Sequence, residues 1–181
     1  MSQYQRLLLI INPALRHSPA VNHAASLAKA NGASLHIAAL ISTLRWLSLL
    51  EEGDRALARE HYLQAHRIWL EAQAQNLRGG GIEVTTQVTW AQDMKQDIID
   101  HVTDMQPDLL IKEIASALKR AFFTPLDWHL LRHCTVPVYL VGGSGLGLPR
   151  KVVAAVEVSD VESADDVLND RIIKQACSLA M

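Results

Sequence analysis

Two kinds of apolar pattern alternate along the chain. Short continuous runs at Leu7 to Ile11, Ser34 to Ile41, Leu109 to Ile111 and Val136 to Val141 read as strands, the last two buried on both faces. Between them lie helical stretches. An alanine-rich helix is predicted from Ala20 to Asn31 and ended by Gly32, a long one from about Asp54 to Leu77 and stopped by Gly79 to Gly81, and a third from about Asp93 to Met105. Ile82 to Val88 alternates apolar with polar positions, as a strand exposed on one side does, and is placed at a sheet edge. Strands alternating with helices of this length imply right-handed crossovers and a doubly wound parallel α/β sheet. Ligands of such a sheet bind beyond the carboxyl ends of the strands, where strand order reverses.

The stretch from Asp108 to Val141 is the most informative. Lys112 closes the apolar run that follows Pro107 and Asp108, which puts a charge near the predicted crevice. Its plainest role is a surface lysine paired with Asp108 or Glu113; its functional alternative is to hold a phosphate or carboxylate. Further on, Thr124 is placed to be a helix N-cap, Pro125 occupies the first helical position, where no N–H is needed, and Asp127 lies three residues after the cap. Leu130 and Leu131, flanked by Trp128 and Val136, supply the apolar side of this helix.

After Val141 the sequence reads GGSGLGLP, and then a pattern like that of the opening begins again. RLLLIINPAL (Arg6 to Leu15) and KVVAAVEVSD (Lys151 to Asp160) each give an apolar strand, a polar residue and a short loop before a helix. The reading divides the chain into a domain over 1–142, a glycine-rich linker over 143–150 and a partial repeat over 151–181, with a strand to Val158 and a helix from Ala164 to Met181. One strand and one helix cannot bury their apolar faces alone.

Composition narrows the function classes. The 181 residues are 49% hydrophobic and 20% charged, enough for one good core. No apolar stretch approaches the roughly 20 residues of a membrane helix, and the N-terminal run is too short for a signal peptide, so a cytoplasmic protein without membrane partners is expected. Cys134 and Cys177 have no metal-type spacing and give no disulfide framework. A net charge of -2 with scattered Lys and Arg excludes the electrostatic footprint of a nucleic-acid partner.

FTPLDWHLLR (Phe123 to Arg132), the DLLIK strand (Asp108 to Lys112) and Val88, Trp90 and Ala91 together resemble the universal stress protein family. The likeness is to the first domain of its tandem, E-type members. It covers about Gln3 to Val141 and resumes from Lys151. The resemblance implies a Rossmann-like (adenine nucleotide alpha hydrolase-like) five-strand sheet in order 3-2-1-4-5, a homodimer or pseudo-dimer through the fifth strand, and a cytoplasmic role in the stress response. It implies no established reaction. ATP-binding members carry a glycine loop after the fourth strand and a glycine with serine or threonine opening the last helix. Here KEIASALKRAFFTP (Lys112 to Pro125) has no glycine, Thr124 and Pro125 replace the last pair, and Pro125 removes a donor that phosphate would use. Asn12 stands where ATP binders have an acidic residue, while Glu157 holds that place in the repeat.

Candidate ligand-binding residues are therefore Asn12 and Pro13 after the first strand, with Lys112 and Thr124. The candidate dimer edge comprises Val136, Val138, Tyr139 and Val141. Gly142, Gly143, Gly145 and Gly147 precede Pro149 and a strand, which makes them a linker and not a nucleotide loop. His129 and His133, four apart with Asp127 and Cys134 nearby, read as a solvated helix face with a capping aspartate and not as a metal site. Asp160, Glu162, Asp165 and Asp166 favour the N-terminus of the following helix. The connection with Leu44, Trp46, Leu47, Leu49 and Leu50 covers the domain's own core, or else forms a lid over an apolar cleft or a partner surface. No catalytic constellation is found. The leading reading is a non-enzymatic stress-response module, without a cofactor, that binds a small apolar or anionic ligand at the carboxyl edge. The alternatives are an ATP-binding switch or weak ATPase, and a protein-interaction dimer.

Overall fold

The computed structural model describes residues 4–13, 18–42, 44, 47, 49–114, 124–142, 148, 151–156 and 164–179. Five strands, β1 (Arg6–Ile11), β2 (Ser34–Ser42), β3 (Val84–Ala91), β4 (Leu109–Glu113) and β5 (Val138–Val141), form one sheet in the order β3-β2-β1-β4-β5. All four pairings are parallel. The helices are α1 (Pro19–Asn31), α2 (Glu52–Gly79), α3 (Met94–Met105), α4 (Pro125–His133) and α5 (Ala164–Leu179). The chain divides into two compact units, Met1–Leu146 and Gly147–Met181.

In the first unit the central strands are apolar at nearly every position because helices cover the sheet. Leu8, Ile10, Ala38, Leu40 and Leu110 meet Ile98 and Val102 of α3 and Leu130 of α4 in one buried cluster. On α1 the small residues Ala20, Ala24 and Ala28 are buried with Leu27, so this helix lies close against the strands it contacts. β3 alternates buried with more accessible positions and lies at the sheet edge, as its period-2 pattern implies. The start of β1 is tied to β4 by Asp108, whose carboxylate accepts the N–H groups of Gln5 at 2.7 Å and Arg6 at 2.8 Å.

Helix ends follow local chemistry. Ser18 caps α1 through its hydroxyl, and Gly32 closes it at φ 65°. Asp93 caps α3 by accepting from Lys95 and Gln96. α4 has a full capping box between Thr124 and Asp127, with Pro125 in its first turn. Its apolar side is narrower than the sequence reading has it. Leu130 is fully buried, but Trp128 is 51% and Leu131 44% exposed, because a turn of 3.6 residues aligns 126, 127, 130 and 134 and rotates 128 and 131 away.

In the second unit α5 forms, whereas the strand expected over 151–158 does not form in its described part. Residues 151–156 belong to no strand, and Val153 is 92% exposed. An apolar run becomes a strand only when another strand satisfies its backbone groups, and none pairs with it among the described residues. Glu157, Asp160 and Glu162 lie outside the described residues, as do Trp46, Phe123 and the glycines at 143, 145 and 147.

Candidate functional site

A crevice of about 340 Å³ opens at the carboxyl ends of β1, β2 and β4. It contains the gap between β1 and β4, where the strand order reverses, which is where a doubly wound sheet places its ligand. Ile10, Ile11, Asn12 and Pro13 enter from β1; Leu40, Ile41, Ser42 and Leu44 from β2 and the residues after it; Lys112 and Glu113 from β4. Helices supply the rest: Tyr62 from α2, Met94 and Ile98 from α3, Thr124 and Leu126 from the start of α4. All four sequence-derived candidates, Asn12, Pro13, Lys112 and Thr124, thus line one cavity. Tyr62, Met94 and Ile98 carry no chemical motif, and only the folding of their helices over the strand ends brings them there.

The polar floor of the crevice is built around Lys112. Its ammonium donates to Asp127 Oδ1 at 2.7 Å and to the Glu113 carbonyl at 2.9 Å. The pair is withdrawn from water: the Lys112 side chain is 11% exposed and that of Asp127 0%. Lys112 is therefore not a surface lysine paired with Asp108 or the Glu113 carboxylate. Asp108 lies at the other end of β4, bonded to β1, and four residues of strand separate the two by roughly 13 Å.

Asp127 serves two elements at once. Its Oδ2 accepts the Thr124 N–H and the Thr124 hydroxyl, each at 2.8 Å, while its own N–H donates to Thr124 Oγ1 at 3.2 Å. Burial alone would raise its pKa, but the hydrogen bonds from Lys112 and Thr124 and the Lys112 charge prevail and hold it below the usual aspartate value. The N–H groups of Thr124, Asp127 and Trp128 are engaged within the turn, and Pro125 has none. The first turn of α4 binds its own carboxylate where an incoming anion would otherwise be met.

Glu113 is the other charged residue lining the crevice among those described. One of its oxygens, Oε2, accepts the Ser18 hydroxyl at 2.5 Å, and Ser18 is the N-cap of α1. A carboxylate of the protein thus stands at this helix start too. Sequence reasoning missed the Ser18–Glu113 contact, which spans 95 positions and has no local signal.

The apolar connection before α2 has mixed roles. Leu47 is 2% exposed, Leu44 lines the crevice and Leu49 is 85% exposed. Arg55 fastens the connection to α2 by donating to the carbonyls of Leu47 and Leu50. His129 and His133 stack with ring centroids 4.3 Å apart, and the His133 Nδ1–H donates to the His129 carbonyl. Among the described residues no three His, Cys, Asp or Glu side chains gather as a metal site.

At β5, Val138 and Val136 are half-buried, Val141 is buried, and Tyr139 Oη lies 2.9 Å from His23 Nδ1 on α1. Burial pushes the Tyr139 phenol up. β5 pairs with β4 on one side and is the sheet edge on the other.

Residues 3–142 match the Universal stress protein family. The chain belongs to that family. Over 184 aligned residues it is 32% identical to universal stress protein E of Photorhabdus laumondii and 28% identical to that of Escherichia coli K12, in each case across 99% of this chain. It spans about 59% and 58% of the length of those relatives. Among solved structures, a putative universal stress protein from Pseudomonas aeruginosa superimposes with a TM-score of 0.71 at 24% identity, covering 99% of this chain and 58% of that one. A universal stress protein in complex with cAMP gives 0.51 at 15% identity, over 78% of this chain and 98% of that one. These likenesses show the same fold. Among the described residues no helix of this universal stress protein is long and apolar enough to cross a membrane.

Proposed function

We propose that the domain over 1–142 is a ligand-responsive module of the stress response that works by association and not by catalysis. Its ligand is a small, largely apolar molecule held in the crevice beyond β1 and β4. The carrying observation is the Lys112–Asp127–Thr124 lock. The cation and the helix terminus that could receive a phosphate both donate to the Asp127 carboxylate, while Ile10, Leu40, Ile41, Ile98 and Leu126 leave the walls largely apolar. A phosphate entering here would have to displace Asp127 from a site where it is fully buried.

A nucleotide-binding switch is the second reading, favoured by the relative solved with cAMP. Equilibrium titrations separate the two. The small neutral probe hexan-1-ol is expected to bind saturably and to be lost in Ile98→Trp, which fills the crevice, while magnesium ATP shows no saturable binding at micromolar concentrations. Micromolar ATP affinity that disappears in Lys112→Met or Thr124→Val would establish the nucleotide reading instead. Association in this scheme uses the open edge of β5, where a second sheet can add its own strand.

A further inference from the structure

We infer that the crevice selects an apolar molecule carrying a cationic or N–H-donating head, the opposite of a nucleotide's anionic one. The inference rests on the reading of the crevice as a ligand site and goes beyond it by assigning the charge of the ligand. Two charged residues line the cavity among those described, Lys112 and Glu113. The Lys112 ammonium is 2.7 Å from Asp127 Oδ1 and also bonded to the Glu113 carbonyl, so its charge is matched by a buried carboxylate. Glu113 has no cationic partner among the described residues; its Oε2 accepts one neutral hydroxyl, that of Ser18. Among the described residues, Lys112, Asp127 and Glu113 together give the floor an excess of one negative charge, in a cleft whose walls are largely apolar.

Such a field repels carboxylates and phosphates and attracts an ammonium. The second carboxylate oxygen of Glu113 is a charged acceptor for the head group, and the side chains of Ile10, Leu40, Ile98 and Leu126 receive the body. At about 340 Å³ the cavity lies at the small end of ligand sites, which limits the body to a short chain or a single ring.

A matched series isolates the head group: hexylamine, hexan-1-ol and hexanoate, titrated at neutral pH into the full chain by calorimetry. The amine is expected to bind at least about tenfold more tightly than the alcohol, and the carboxylate most weakly. Glu113→Gln, which keeps an acceptor for Ser18, is expected to bring the amine-to-alcohol ratio close to one, and Ile98→Trp to weaken both. Equal binding of all three, or preference for hexanoate, overturns the assignment of charge while leaving the crevice as an apolar site. No binding of any of the three overturns the ligand site itself.

Discussion

Asp127 joins two kinds of local order that are usually separate, the cap of a helix and the neutralisation of a strand-end cation. Both depend on its charge. Asp127→Asn preserves shape but leaves Lys112 without its counterion in a site where the aspartate is fully buried, and is expected to cost about 3 kcal/mol at neutral pH. Because the folded-state pKa is depressed, this stabilisation is fully present above the ordinary aspartate pKa of about 3.9. It is lost as pH falls further, through the lower folded value. Urea unfolding of the two proteins from pH 7 to pH 2.5 should therefore show a constant gap down to about pH 4 and a shrinking one below it. A gap independent of pH would assign the cost to packing. Lys112 and Asp127 were each conspicuous in the sequence, one as a lone charge closing an apolar strand and the other as the third residue after a cap. Their pairing was not, since the glycine-free loop between them gives no distance.

Among the elements, the helices illustrate how local rules and packing divide the work. α1 ends on Gly32 at φ 65°, the left-handed conformation that glycine adopts without a Cβ penalty. α3 ends the same way on Gln106, at φ 46°, the only described residue other than glycine with positive φ. Gln106 is exposed and its Cβ disfavours this conformation, so Gln106→Gly is expected to stabilise the protein by about 0.5 to 1 kcal/mol, read as an increase in the urea midpoint without a change in slope. The stop after Met105 was legible from the period of the apolar positions even though no glycine marks it. α4 shows the converse. Its start was written in Thr124, Pro125 and Asp127, but which of its large residues face the sheet depended on how the helix is rotated against Leu110 and Ile98 in the shared core, and that buries Leu130 while leaving Trp128 and Leu131 accessible.

For the sheet as a whole, the edge strands among the described residues are β3 and β5. β3 carries the polar side chains Thr85, Gln87 and Thr89 between apolar ones and is contacted by α2, whereas β5 presents the short run VYLV beside β4. Pairing through β5 predicts a concentration-dependent dimer in sedimentation velocity, weakened by Leu140→Pro, which removes a backbone donor from the edge strand. A monomer at all concentrations would rule against that association. The Tyr139–His23 contact shows that part of the apolar character of this strand serves the domain's own interior.

The sequence alone determined the alternation of strands and helices, the edge position of β3, the cap at Thr124 with Asp127 three residues on, and the family, because each is carried by spacing or by contacts a few residues apart. The four residues assigned to the crevice were also within its reach, since the carboxyl ends of parallel strands must face the same way. Tertiary structure decided the electrostatics. Lys112 meets Asp127 across 15 positions, and Glu113 meets Ser18 across 95. Charge at a site is the sum over such neighbours, and neighbours distant in sequence are chosen only when the sheet and its helices close around one another.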